Sequence, residues 1–198
     1  MNIKSGVETS VKGYTIDSTT NKKLSSATVV VYGCVIKSFP PRRYCIDSVA
    51  TTNTDVNGNF NLTFISNGSF VGYMAEIKDD EKFQQKNSAM LTSGNANTII
   101  LSAIELRVLK LELKVLNNPT GEMVIRTSRS TRVLKGSSNN IILDLSVLPN
   151  AINNVYYNIW DAKIGKYRGI IENIQIGAAP ITIFQKTIQN TDDFPITP

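Results

Sequence analysis

A polar turn followed by strict alternation is the feature that most constrains this chain. Residues 55–58 read Asp-Val-Asn-Gly, and Gly58 can supply the positive φ that such a tight turn needs. Directly after it, Phe60, Leu62 and Phe64 alternate with polar residues. Because successive side chains of a strand point to opposite faces, this pattern predicts a β-strand with one buried and one solvated face.

The same alternation, or a short β-branched run, recurs along the whole chain. Predicted strands cover residues 7–17, 27–32, 45–53, 59–64, 70–77 and 99–103, then 109–115, 123–127, 131–135, 140–145, 155–160, 170–176 and 181–187. A helix is the alternative for residues 106–116, but the charges there fall on alternate residues, which favours a strand. Short strands separated by polar turns indicate a sandwich or barrel.

The fold class predicted from this pattern is all-β, with two tandem β-sandwich domains. We place them at residues 1–103 and 104–198. No Gly-, Pro- or Ser-rich linker lies near residues 102–105, so the junction is predicted to be nearly direct.

Three short segments are predicted separately. Residues 79–90 stay open between a short helix, capped by Asp79 or Asp80, and an irregular surface loop. The Asn-Gly pair at residues 67–68 predicts a hairpin turn. The proline-containing tail, residues 190–198, is expected to fray.

The residue types present restrict the chemistry. The 198 residues include no histidine and only two cysteines, which excludes His-containing triads, Cys–His pairs, His-based metal sites and a four-Cys zinc site. We therefore expect no enzyme, no cofactor and no metal; an enzyme using carboxylates or Lys is the remaining alternative. The net charge of +5 is thinly spread, so it predicts solubility and no nucleic-acid partner.

The sequence also bears on the membrane and on export. It contains no run of 18 apolar residues, so we expect no membrane-spanning helix. The first six residues contain no apolar signal core. The protein is therefore either cytosolic, or an export signal lies outside this sequence.

Three segments together carry a family pattern. Residues 11–17 read Val-Lys-Gly-Tyr-Thr-Ile-Asp, residues 24–29 read Leu-Ser-Ser-Ala-Thr-Val, and residues 52–60 read Thr-Asn-Thr-Asp-Val-Asn-Gly-Asn-Phe. Over residues 8–103 the chain resembles the carboxypeptidase regulatory-like domain, a transthyretin-like (prealbumin-like) β-sandwich. The family pattern has Gly where this chain has Ser26.

This resemblance implies a domain without catalytic residues of its own. Such domains occur on exported bacterial proteins, including surface lipoproteins of Bacteroidetes, often beside an immunoglobulin-like sandwich, which suits residues 104–198. We predict an exported structural or binding module at the periplasmic or outer-membrane surface, with a protein or glycan partner. A membrane contact is expected only through an N-terminal lipid anchor outside this chain. The alternative is a carbohydrate-binding accessory protein of a polysaccharide-uptake system.

Cys34 and Cys45 flank a Pro-Pro loop and have two interpretations. In an exported protein they could form a disulfide that closes a loop of about 12 residues. The alternative is a pair of separate buried thiols. The spacing does not decide between them, because it does not fix the geometry of the two side chains.

Two clusters are candidates for ligand contact. The residues are the aromatic Tyr156, Trp160 and Tyr167 and the basic Arg126, Arg129 and Arg132. A period of two places Tyr156 and Trp160 on one face of a strand. That face is either a sugar-stacking platform or, as we prefer, part of a core packed around Trp160. The arginines either attract phosphate or acidic sugars or, more commonly, are solvated surface charges.

The acidic residues are weaker candidates. Asp55, Asn57 and Asn59 alternate as at the start of a calcium loop, but the twelfth position is Ser66 instead of Glu, which favours a simple turn. Residues 79–81 are adjacent carboxylates. An acid–base pair needs separation across a cleft, so we read these three as solvated charge.

Overall fold

The computed structural model describes residues 3–37 and 40–197, and most of their regular structure is β-strand. The chain divides into two compact units, Met1–Glu105 and Leu106–Pro198. Each unit has two sheets and its own hydrophobic core. The fold class is the predicted one, all-β with two tandem β-sandwiches. No helix in the described residues has the length and apolar character to cross a membrane.

The first unit is a sandwich of two four-stranded sheets. Its strands are β1 (Glu8–Asp17), β2 (Thr28–Lys37), β3 (Arg42–Asn53), β4 (Asn59–Ile65), β5 (Gly72–Ile77), β6 (Phe83–Gln85), β7 (Ser88–Leu91) and β8 (Ala96–Glu105). One sheet has the order β4-β1-β8-β6 and the other β3-β2-β5-β7. Val11 and Leu101 from the first sheet share a core cluster with Val29, Val31 and Ala75 from the second.

The second unit is a sandwich of a four-stranded and a three-stranded sheet. Its strands are β9 (Arg107–Val115), β10 (Glu122–Arg126), β11 (Thr131–Lys135), β12 (Asn139–Val147), β13 (Ala151–Asp161), β14 (Lys166–Ile176) and β15 (Ile181–Ile188), followed by a 3-10 helix, Thr191–Asp193. The sheet orders are β11-β10-β13-β14 and β12-β9-β15. Leu109, Leu111 and Leu113 are all buried on β9, as the strand interpretation of this segment predicts.

The turn at residues 55–58 forms as predicted. The Asp55 carboxylate accepts hydrogen bonds from the backbone N–H groups of Asn57 and Asn59, both at 2.8 Å. Gly58 has a φ of 73°, in the left-handed region that favours glycine. The turn leads into β4, where Phe60 is buried.

For residues 79–90 the sequence leaves a helix or an irregular loop open, and both alternatives are wrong. The segment contains the strand β6 and most of the strand β7. Phe83 and Leu91 of these strands are buried in the core, and this packing decides the local structure. The Asp80 carboxylate accepts hydrogen bonds from the backbone N–H groups of Lys82 and Phe83 at 2.7 and 2.8 Å. Asp80 therefore closes a turn before β6 and caps no helix.

Two other local predictions are wrong. Residues 67–68 do not close a hairpin, because β4 and β5 belong to different sheets and the connection between them crosses the sandwich. The tail does not fray over residues 190–197. Phe194 is buried in the core of the second unit, and Ile196 forms a β-bridge with Arg168. Pro198 lies outside the described residues.

Candidate functional site

Strand β13 has one side in the core and the other side exposed. Val155, Tyr157 and Ile159 are buried. Because side chains alternate along a strand, Tyr156 and Trp160 project from the opposite side. Trp160 is 50% exposed, so the preferred expectation of a core packed around it is wrong. The intervening residues fill the core instead.

Tyr167 extends this exposed side onto β14. It lies directly opposite Trp160 in the antiparallel register, and the two ring centroids are 4.8 Å apart at an interplanar angle of 64°. This edge-to-face arrangement is one that aromatic pairs prefer. Tyr167 is 57% exposed. We call the outer side of the sheet β11-β10-β13-β14 the aromatic face, defined by Tyr156, Trp160, Tyr167, Ile171 and Arg126.

The three candidate arginines lie in different places. Arg126 is opposite Tyr156, and its guanidinium carbon is 5.1 Å from the centre of the tyrosine ring, within cation–π range. Arg129 lies in the turn between β10 and β11. Arg132 is opposite the buried Ile125, so its side chain starts on the core side of the sheet. Four of the six candidate residues therefore share the aromatic face, and Arg129 and Arg132 do not.

A shallow trough crosses the strands of the aromatic face. Its floor is formed by the register neighbours Val124 and Asn158. The walls are formed by the larger side chains on either side of it, among them Tyr156, Tyr167 and Ile171. The cavity between them has a volume of about 560 Å³. A Cβ atom on Gly169 would lie 2.3 Å from Asn158 Oδ1 and 2.7 Å from the Tyr157 carbonyl oxygen. Gly169, the register neighbour of Asn158, therefore leaves room for the Asn158 amide, which lines the trough.

The C-terminal tail forms part of the wall. The backbone N–H of Gly169 donates to the Pro195 carbonyl oxygen at 2.9 Å, and the N–H of Thr197 donates to the Tyr167 carbonyl oxygen at 3.0 Å. The tail thus pairs with the edge of β14. A second cavity of about 410 Å³ lies beside it, lined by Trp160, Gly165, Lys166, Tyr167, Ile196 and Thr197. Tyr167 and Thr197 line both cavities.

Sequence reasoning did not include the tail in this site. The signal that could have found it is the pair of apolar residues Phe194 and Ile196 between prolines and polar residues. Apolar residues at alternate positions are typical of a strand, and here they mark the segment that packs on β14.

Cys34 and Cys45 are register partners on the neighbouring strands β2 and β3 and form a disulfide, with an S–S distance of 2.04 Å. The bond joins the two strands that flank the Pro-Pro loop. The spacing leaves open a disulfide or two separate thiols, and the structure contains the disulfide. No free cysteine remains in the described residues.

Several carboxylates are held in ion pairs. Within residues 3–37 and 40–197, no three His, Cys, Asp or Glu side chains lie close enough together to hold a metal ion. Asp161 is paired with Arg168, at 2.9 Å between Oδ2 and Nε, and Glu172 is paired with Lys186. In both pairs the carboxylate is neutralised by a basic side chain of the fold.

Comparisons with known proteins give weak likenesses. No family model matches the chain. No curated protein matches it either. Among solved structures, the chain is similar to a streptococcal ancillary pilin, at 12% identity and a TM-score of 0.47, over 92% of this chain and 63% of the pilin. It spans less than two thirds of that pilin.

Two further solved structures are similar to the chain over most of its length. One is the shaft pilin SpaA from Lactobacillus rhamnosus GG, at 8% identity and a TM-score of 0.34, over 93% of this chain and 98% of the pilin. The other is a DUF3823 family protein from Parabacteroides merdae, at 7% identity and a TM-score of 0.34, over 86% and 100%. With TM-scores below 0.5, these likenesses carry no conclusion about function.

Proposed function

We propose that this protein is a non-enzymatic, exported binding module at a bacterial cell surface, and that the aromatic face contacts its partner. The observation that carries the proposal is the exposure of Trp160 and Tyr167 beside each other on a sheet face, next to Arg126. Exposed aromatic and Arg side chains are the types most enriched where proteins bind partners.

Export is supported by the Cys34–Cys45 disulfide. Disulfides persist in oxidising compartments and are rare where thiols are kept reduced. Native protein isolated from its own cells is expected in the periplasmic or surface fraction, with no thiol reacting with an alkylating reagent until a reductant is added. Recovery in the cytosolic fraction with both thiols free would contradict export. A lipid anchor outside this chain remains part of the proposal, and lipid labelling of the native protein tests it.

The proposal that the protein is not an enzyme is supported by the roles of its Cys and Asp side chains and by its lack of histidine. Histidine is lacking, and both cysteines are bonded. The Asp55 carboxylate holds a turn, and Asp161 is paired with Arg168. Three cavities lined by described residues border the aromatic face. Two of them have no carboxylate among their described lining residues, and in the third, which Asp161 and Asp192 line, Asp161 is paired with Arg168. General acid–base or nucleophilic chemistry would need such groups to converge in a cleft.

We also propose that the first unit is a carboxypeptidase regulatory-like domain. Two backbone conformations support this. Ser26, which stands where the family pattern has Gly, has a φ of 57°, and Gly58 in the Asp-x-x-Gly turn has a φ of 73°. Left-handed backbone is the condition under which glycine is preferred. The immunoglobulin-like assignment of the second unit is likewise a proposal, supported by its two-sheet core.

A carbohydrate-binding accessory role is the second candidate. It is favoured by the exposed rings of Trp160 and Tyr167, since the apolar faces of sugar rings stack on aromatic side chains. We expect immobilised polysaccharides to retain the full chain, and Trp160→Ala to abolish the retention. Ile142→Ala is the matched control, because Ile142 is 61% exposed on a strand of the other sheet of the same unit.

This screen also separates the two candidates. If no polysaccharide retains the chain, the carbohydrate role is wrong. The binding-module proposal then depends on a surface protein whose binding is lost with Trp160→Ala and kept with Ile142→Ala. If every partner found binds both variants as tightly as the unchanged chain, the aromatic face is not the binding surface.

A further inference from the structure

The shape of the aromatic face suits a chain-like ligand better than a compact one. The trough crosses the strands of the sheet, and the second cavity adjoins it, since Tyr167 and Thr197 line both. On each strand, the rows on either side of the floor are four residues apart, which is about 13 Å along a strand. A single pyranose ring is narrower than this separation. Tyr167 stands between the two cavities, where successive units of a linear polymer would pass.

The charged residues that line the trough and the second cavity are all positive. Among the described residues that line the two cavities, Arg126 and Lys166 are the only charged ones, and both are exposed. The nearest carboxylate on this face of β10 is that of Glu122, which lines neither cavity and lies opposite Lys135 on β11. Within these two cavities no described lining carboxylate balances the positive charge, and Asp161 and Asp192 line a separate cavity that shares Trp160. Charge complementarity favours an anionic ligand.

Arg126 suits a carboxylate in particular. Its guanidinium lies near the Tyr156 ring, and a guanidinium placed in this way keeps N–H donors at its edge. Those donors match the two oxygens of a carboxylate. Between the aromatic rows, the Asn158 amide lines the floor and can bond to hydroxyl groups.

The two cations of these cavities are too few for nucleic acid, which needs a longer cationic track. From this combination we propose that the trough binds an acidic polysaccharide built from uronic acid units, with a sugar ring stacked on Tyr167 and a carboxylate held by Arg126. The inference rests on the proposed binding function and adds the class of ligand.

The test compares two forms of one polymer. Polygalacturonate carries a carboxylate on each sugar, and its methyl-esterified form has the same backbone without the charge. We expect the full chain to bind polygalacturonate at least about tenfold more tightly, since a hydrogen bond to a charged group typically contributes this much. Arg126→Gln is expected to remove the difference, and Arg126→Lys to keep part of it, because Lys retains the charge without the planar fork.

Two further variants locate the binding. Tyr167→Ala is expected to weaken the binding of both polymers about tenfold, as loss of one stacked aromatic platform typically does. Ile142→Ala should leave binding unchanged. All three positions are exposed, and circular dichroism of each variant verifies that the sheets are intact.

The outcomes that overturn the inference are distinct from those that overturn the proposed function. Equal binding of both polymers, lost with Tyr167→Ala, overturns the acidic-ligand inference and leaves the binding surface standing. Binding that dextran sulfate matches and that neither Arg126→Gln nor Tyr167→Ala weakens is nonspecific attraction of a polyanion, and it also overturns the inference. No binding to either polymer overturns the inference, and another polysaccharide or a protein partner that requires Trp160 then remains as the proposed function.

Discussion

At the scale of single residues, Asp17 shows how a buried carboxylate can be stabilised without a cation. It is 2% exposed at the end of β1. One carboxylate oxygen accepts hydrogen bonds from the backbone N–H groups of Thr19 and Thr20, at 2.7 and 3.0 Å, and the other accepts one from the N–H of Glu105 at 3.1 Å. Burial alone would raise the pKa of Asp17, but the hydrogen bond that the Thr19 hydroxyl donates to it, together with these backbone bonds, outweighs burial and holds the pKa below its usual value.

Replacing Asp17 by Asn should therefore destabilise the first unit in a pH-dependent way. At neutral pH we expect Asp17→Asn to lower the free energy of unfolding by about 1.5–3 kcal/mol, the range for hydrogen bonds to a charged group. The folded-state pKa is depressed, so this contribution is complete above the ordinary Asp pKa and is lost as the pH falls through the folded-state value.

Urea denaturation across an acidic pH series measures the effect of Asp17→Asn. The difference between the two proteins should shrink on acidification. The exposed Asp144, replaced by Asn, is the control and should change stability little. A difference that stays constant down to the lowest pH would show that the charge of Asp17 is not what stabilises the fold.

Tyr157 is the opposite case, a buried polar group without compensation. Its ring lies in the core of the second unit, and its hydroxyl has no hydrogen-bond partner among the described residues. Burial first, and then the charge of Glu172, raises the pKa of this hydroxyl. A buried hydroxyl without a hydrogen bond lowers the stability of the fold. A phenylalanine at this position has no hydroxyl and would avoid that cost.

We expect Tyr157→Phe to leave the free energy of unfolding unchanged or to raise it by up to about 1 kcal/mol. The folded-state pKa is raised, so the unchanged protein should also lose stability as the pH rises above the ordinary Tyr pKa of about 10, and the variant should lose less. Chemical denaturation at neutral and alkaline pH measures both effects. A clear loss of stability at neutral pH would indicate that the hydroxyl has a partner after all.

At the scale of elements, β1 is the strand on which the first sandwich is built. It pairs with β4 on one side and with β8, in parallel, on the other, although β8 comes from the far end of the unit. Gly13 lies opposite Ile99 of β8, and a Cβ atom added there would lie 1.8 Å from the Ile99 carbonyl oxygen. The parallel pairing at this point requires a residue without a side chain.

Gly13→Ala should accordingly destabilise the first unit by about 3 kcal/mol, near the upper end for overpacking, because the atoms that the new methyl group would meet are backbone and cannot rotate away. Gly177→Ala is the matched control, since a Cβ atom there would meet nothing within 4 Å. Thermal unfolding monitored by circular dichroism compares the two. If Gly13→Ala unfolds at the same temperature as Gly177→Ala, β1 and β8 do not approach each other this closely.

At the scale of the whole molecule, the two cores are separate. The core cluster of the first unit contains no residue beyond Ala103, and that of the second begins at Leu109. Each unit has about the size at which a single core can stabilise a domain. The predicted boundary between residues 103 and 104 lies two residues before the division at Glu105 and Leu106.

We expect residues 1–105 and 106–198 to fold when produced separately. Each fragment should show the circular dichroism of β-structure and a single cooperative transition in urea. Adding a reductant should destabilise only the first fragment, by about 3 kcal/mol in the chain-entropy model, because it contains the disulfide. A fragment that remains unfolded under native conditions would mean that its core depends on the other unit.

Much of the fold follows from the sequence because alternation and turn residues act locally. The period of two along Phe60 to Phe64 and along Leu109 to Val115 is enough to place a strand and to say which side is apolar. Residues 79–90 have no such pattern, and only the burial of Phe83 and Leu91 makes them strands. The prediction of a frayed tail is wrong for the same reason, since the order of the tail depends on the core in which Phe194 is buried.

The sequence by itself determined most of the strands, the turn at residues 55–58 and the absence of His-based chemistry, since these depend only on residue types and their spacing. Tertiary structure decided which side of β13 is covered, because that depends on the sheet packed against it. It also decided that Arg126 and Tyr167 lie beside Tyr156 and Trp160, because strand register joins residues distant along the chain. The aromatic face exists only once these pairings form.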